Sequence, residues 1–155
     1  MAGQGVTRRR ALYLAMALIT GARADATDGG DLIDTGRNIY ELNRGEAPIM
    51  VRLEGGTWQD AAPAQACRAC HGDSGEGASE GTINAPPLAS LALQTPQEWR
   101  TWLDNALLRH HAANGRPLHA AMPRYRLSSQ DSTALIAYLR ALPQSATPGV
   151  GHDRV

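Results

Sequence analysis

Cys67 and Cys70 lie three residues apart, and His71 follows at once. On one helical turn, two thiols at this spacing point the same way and can each add to a haem vinyl group. The adjoining imidazole is then held beneath the iron with a nitrogen free to ligate it. Cys67-Arg68-Ala69-Cys70-His71 is therefore the attachment pattern of a c-type haem, one per chain. Two other chemistries use paired cysteines. A thiol redox pair wants its CxxC at the end of a strand in a βαβ unit, and Ala61 to Ala66 shows no strand pattern. A zinc site needs further ligands, and His110, His111, His119 and His152 stand in no usual spacing.

The sixth ligand follows by elimination. Met1 and Met16 belong to the N-terminal segment discussed below, and Met50 precedes the motif. Met122 lies 51 residues after His71, far enough for the chain to circle the haem edge, and Pro123 keeps its segment out of a helix. His119, His110 and His111 are the competing ligands. With His71 and Met122 both on the iron no coordination position is open, which leaves one-electron transfer, and Met against His raises the reduction potential. If Met122 does not bind, the open iron makes the chain an enzyme or a ligand sensor instead.

The rest of the chain suits an exported carrier. Arg8, Arg9 and Arg10 precede an apolar stretch from Ala11 to Ala22, and Ala22-Arg23-Ala24 or Ala24-Asp25-Ala26 supplies a small-x-small cleavage pattern. Residues 1–26 thus read as a signal peptide cut after Ala24 or Ala26, and the apolar run falls short of the roughly 20 residues of a membrane span. Export places the protein in the periplasm, where haem is attached to such motifs. The whole chain has 15 basic and 15 acidic residues, and all its basic residues are Arg. Cleavage after Ala24 leaves 11 against 15, so the mature form is mildly acidic and a poor match for nucleic acid.

Local patterns supply the elements that position these groups. Leu32, Gly36, Ile39 and Tyr40 recur at helical spacing and predict a helix near residues 31–43. Gly36 weakens such a helix by about 1 kcal/mol relative to Ala, which makes sense if another helix crosses there. Thr95-Pro96-Gln97-Glu98 is a capping box. It opens a helix with a stripe of Trp99, Trp102, Leu103, Ala106 and Leu107, ending near His110, where His110 and His111 form a solvated end. Ser128 to Asp131 caps a last helix with Leu135, Tyr138, Leu139 and Leu142 on its stripe, stopped by Pro143. Ile49, Val51 and Leu53 alternate within a 44–66 insertion and predict a short strand or hairpin there, either a surface flap or a docking element for a redox partner. Residues 144–155 read as a disordered tail.

From Gly36 to Leu142 the chain resembles the class I cytochromes c. The matching features are Gly36 with Tyr40, the CxxCH motif, Ala85-Pro86-Pro87-Leu88, Met122-Pro123-Arg124-Tyr125 and Leu135-Ile136-Ala137-Tyr138-Leu139. The resemblance implies an all-α class I fold over residues 27–143, carrying the insertion as a loop or hairpin between the N-terminal helix and the haem motif. It also implies that the Pro86 carbonyl accepts the hydrogen bond of the proximal His, that Leu88 packs on the haem, that the Trp102 indole donates to a propionate, and that Tyr125 lies beside a propionate or a partner. Such a protein is no enzyme itself. It passes electrons to and from redox partners, as a soluble carrier or as the relay subunit of a dehydrogenase or reductase system. Arg68, Arg124 and Arg126 are expected on the rim of its exposed haem edge.

Overall fold

The computed structural model describes residues 28–88 and 95–143. The signal peptide expected at 1–26, with its cleavage after Ala24 or Ala26, and the tail expected at 144–155 lie outside the described residues.

The core is built on two helices from opposite ends of that range. α1 (Asp28–Leu42) buries Ile39 and Tyr40, and it stops where Asn43 turns to φ +55°, a conformation Asn tolerates better than most residues. The last helix, Ser129–Ala141, buries Ala134, Leu135, Ile136, Tyr138 and Leu139, and its first turn is capped by the Ser128 hydroxyl, which accepts from the Asp131 amide at 3.0 Å. The two helices pack against each other, and the point of closest approach is Gly36: a Cβ there would collide with the Ala134 carbonyl and stand 2.7 Å from the Tyr138 Cβ. The Tyr40 and Tyr138 rings meet beside it, 5.3 Å between centroids.

Among the described residues, four short helical segments and five short strands lie between them. β1 (Met50–Arg52) pairs antiparallel with β2 (Gln59–Asp60), which makes the insertion a hairpin. β1 also pairs, on its other side, with β5 (Arg124–Arg126), Val51 opposite Tyr125. A second hairpin joins β3 (Ala78–Glu80) to β4 (Ile83–Ala85). The structure is thus not purely α-helical. Val51 and Tyr125 are buried on one side of the first sheet while their chain neighbours face outward, the alternation that favours a strand over a helix.

The helical segments in the middle are α2 (Arg68–His71), which is the haem motif, and α3 (Pro96–Asp104), which widens into a π-helical turn at Asn105–Arg109. A 3-10 turn at Pro63–Gln65 leads into α2, and the last helix is α4. α3 opens on the capping box read from the sequence: the Glu98 amide donates to Thr95 Oγ1, and the Thr95 amide to the Glu98 carboxylate at 2.8 Å.

Candidate haem site

Short-range hydrogen bonds hold the motif in place. The His71 amide donates to the Cys67 carbonyl at 2.9 Å, closing a single helical turn with both thiols on it. Gly72 then takes φ +80°, and its carbonyl accepts the Tyr40 hydroxyl at 2.6 Å, so α1 pins the end of the motif. Burial holds the Tyr40 phenol well above its usual range. After Gly72 the chain turns back through Gly77, whose amide donates to the His71 carbonyl at 2.9 Å, and the Leu88 amide donates to the Gly75 carbonyl at 2.7 Å. These bonds bring Pro86 and Leu88 alongside His71.

A cavity of about 290 Å³ opens against this turn. Cys67, Cys70, His71, Pro86, Leu88, Trp102, Met122 and Tyr125, the residues singled out in the sequence, all line it. Leu103, Leu107, Leu135 and Leu139 supply apolar wall from α3, the π-helical turn and α4. Leu53 and Ile83 line it while remaining substantially exposed, from the end of the β1 hairpin and from β4.

The donor set suits a haem. The His71 ring nitrogen Nδ1 is 2.9 Å from the Pro86 carbonyl oxygen, and since a carbonyl only accepts, Nδ1 carries the proton and Nε2 keeps its lone pair. Burial lowers the His71 pKa and the bond to Pro86 partly offsets it, so the imidazole is held neutral, as an iron ligand must be. Both cysteines are free thiols on the same wall, and burial pushes the Cys67 thiol up to about 12. Among the described residues, no three His, Cys, Asp or Glu converge as a metal cluster would require.

The sequence missed His110. The helix pattern predicts a solvated end there, but the His110 side chain is buried, because the backbone turns to φ +62° and sends the chain back along itself. The Leu118 amide donates to the His110 carbonyl at 3.0 Å, closing that loop, and Nε2 of His110 lies 2.9 Å from the Met122 carbonyl. His111, by contrast, is exposed. His119 lines the cavity from an exposed position, and its Nδ1 accepts from the Ala121 amide. The Tyr125 hydroxyl donates to the Gln65 carbonyl just before the motif, and burial raises its pKa far above the usual phenol value.

The arginines and tryptophans take distinct surroundings. Arg68 pairs with Asp73 at 3.3 Å, whereas Arg126 stacks on Trp58 of the insertion. Trp102 reaches the cavity, half-buried, while Trp99 is fully buried edge-on to it, with Nε1 as the buried side-chain polar atom lacking a partner among the described residues. Periodicity does not separate these two indoles, because both sit on the apolar stripe of α3; only the resemblance singles out Trp102.

A family model described as Cytochrome c matches residues 59–143, more than half of the chain. The chain belongs to the cytochrome c family, whose members hold haem c covalently and use it for electron transfer. The match begins at β2, so α1 and β1 stand outside it. A comparison with curated proteins finds no match, and neither does one with solved structures.

Proposed function

We propose that this protein is a class I, monohaem cytochrome c, exported to the periplasm, which carries single electrons between redox partners as a free carrier or as the relay subunit of a dehydrogenase or reductase system. The observation that carries this reading is the gathering of His71, Met122 and both thiols on one apolar cavity, with the His71 tautomer set by Pro86. The bound haem would supply an iron that alternates between ferrous and ferric. Cys67 and Cys70 would form the thioether links, His71 would offer Nε2 to the iron and Met122 its sulfur, and with both bound no position would remain for oxygen or peroxide. Leu88 and the leucines of α3, the π-helical turn and α4 exclude water, and Trp102 and Tyr125 border the cavity as polar edges. No helix among the described residues is long and apolar enough to cross a membrane, and export rests on the arginine-led apolar segment at the N-terminus.

The test is spectroscopic. The chain produced in a periplasm with haem-attachment machinery should be coloured, with one haem per chain, and the ferric form should show the weak near-infrared band of Met sulfur on iron. Cys67→Ala or Cys70→Ala should abolish or cripple holoprotein formation. Met122→Ala should remove the band and open the iron to added ligands. A colourless folded protein overturns the proposal, and a band that survives in Met122→Ala overturns the distal assignment.

A further inference from the structure

The sheet that joins the insertion to the Met122 segment has two unlike faces. On the inner side Tyr125 lines the cavity; on the outer side, by strand alternation, stand Arg124 and Arg126 of β5 with Arg52 of β1. Register puts Arg52 directly opposite Arg124, a like-charge pair that by itself destabilises a sheet. Arg52 and Arg126 both stack on Trp58, their guanidinium carbons 4.9 and 4.1 Å from the ring centroid. The ion pairs among the described residues are Arg37 with Asp34 and Arg68 with Asp73, so none of these three arginines has a carboxylate partner. Three cations are gathered, two of them held by an indole, with no carboxylate paired to them among the described residues.

The surrounding molecule is of opposite sign. Residues 28–143 contain 13 acidic and 10 basic side chains. An extended polyanion would meet repulsion from that body on either side of the patch, whereas a compact acidic site on another protein would meet only the arginines. Pre-stacked guanidiniums lose little freedom on binding and present planar forks to carboxylates.

We propose that Arg52, Arg124 and Arg126, gathered around Trp58, form the docking surface for a carboxylate-rich face of the electron-transfer partner. The proposal rests on the electron-transfer reading above, and it turns the insertion from a flap into a recognition element. Arg68, already paired with Asp73, is not part of it. A partner seated here lies across a single sheet from the cavity, since Tyr125 between the two arginines and Leu53 beside Arg52 both line that cavity.

The test titrates hexaglutamate into the reduced holoprotein at low salt and follows the indole N–H signal of Trp58 by NMR. The expected result is a saturable shift at Trp58, abolished by moderate salt and weakened at least about fivefold in Arg52→Gln/Arg126→Gln. Arg116→Gln/Arg140→Gln, which removes the same charge elsewhere, should bind as the wild type does. Arg124→Gln leaves the Trp58 stack intact and should also weaken binding, which guards against loss of the sheet in the double variant. No shift at Trp58, equal weakening by both double variants, or binding to phosphatidylglycerol vesicles without binding to the peptide each overturns the proposal. Haem content and the visible spectrum of the same sample report separately on the electron-transfer reading.

Discussion

The Met122 carbonyl is held by a histidine twelve residues earlier: Nε2–H of His110 donates to it across 2.9 Å. His110 is one of two non-glycine residues at positive φ among the described residues, so its imidazole and its backbone make separate contributions. His110→Ala removes the hydrogen bond and keeps the strained turn, while His110→Gly removes the bond and relieves a strain of roughly 1–2 kcal/mol. Both variants should weaken the near-infrared Met–iron band and let added imidazole displace Met122 at lower concentration, with the Gly form melting above the Ala form. Unchanged band and imidazole affinity in both would remove His110 from the positioning of Met122.

Gly36 tolerates no side chain. The atoms that a Cβ would strike belong to the Ala134 carbonyl and the Tyr138 Cβ, and backbone cannot swing aside as a flexible side chain can. Gly36→Ala should therefore destabilise the protein by about 1–3 kcal/mol despite the better helix propensity of alanine. Chemical denaturation of the holoprotein measures it, and a neutral or stabilising result would show that the crossing relaxes without cost.

Asp131 ties the insertion to α4. Its carboxylate is fully buried and accepts from the Glu46 amide at 2.7 Å, the Ala47 amide at 3.3 Å and the Ser128 hydroxyl at 2.8 Å. Asp131→Ala leaves those donors without their acceptor and should cost about 2 kcal/mol or more. Hydrogen exchange should accelerate first at Glu46 and Ala47, ahead of the α4 amides. Uniform acceleration across the molecule would contradict this local tether.

The capping box of α3 gives a pH dependence. Hydrogen bonds from the Thr95 amide and then the Thr95 hydroxyl hold the Glu98 carboxyl below its usual range. A depressed carboxyl contributes stability in full above its unfolded value of about 4.3, and that contribution is lost as pH falls through the lower folded value. Glu98→Gln should therefore flatten the fall of melting temperature in that acid range while leaving the neutral-pH value little changed. Parallel curves for the two proteins would show that Glu98 contributes nothing to acid sensitivity.

What the sequence disclosed depended on how local each signal was. CxxCH carries its chemistry in five residues, and the Thr95 and Ser128 caps in four, so all three were legible. Pro86 and Leu88 were placed by resemblance alone, since nothing in an Ala-Pro-Pro-Leu stretch declares what its carbonyl accepts. The strand at Arg124–Arg126 was not foreseen, because three residues define no period and its partner lies some seventy residues away at Met50–Arg52. The burial of His110 is hidden for a related reason: it depends on a backbone turn that helix patterns do not encode. Of the arginines expected at the haem rim, Arg68 is paired with Asp73, and that Arg52 stands opposite Arg124 could be seen only from the register of β1 against β5.

The family match starts at Gln59, yet the hydroxyl that holds Gly72 comes from Tyr40, and the surface that covers α4 comes from α1. A fragment beginning at Gln59 would retain every cavity-lining residue except Leu53 and still lack the outer brace of the haem motif. For anyone grafting this centre onto another scaffold, the smallest transferable unit is therefore larger than the stretch that makes it recognisable: α1 must travel with it, in the same chain or supplied as a separate peptide.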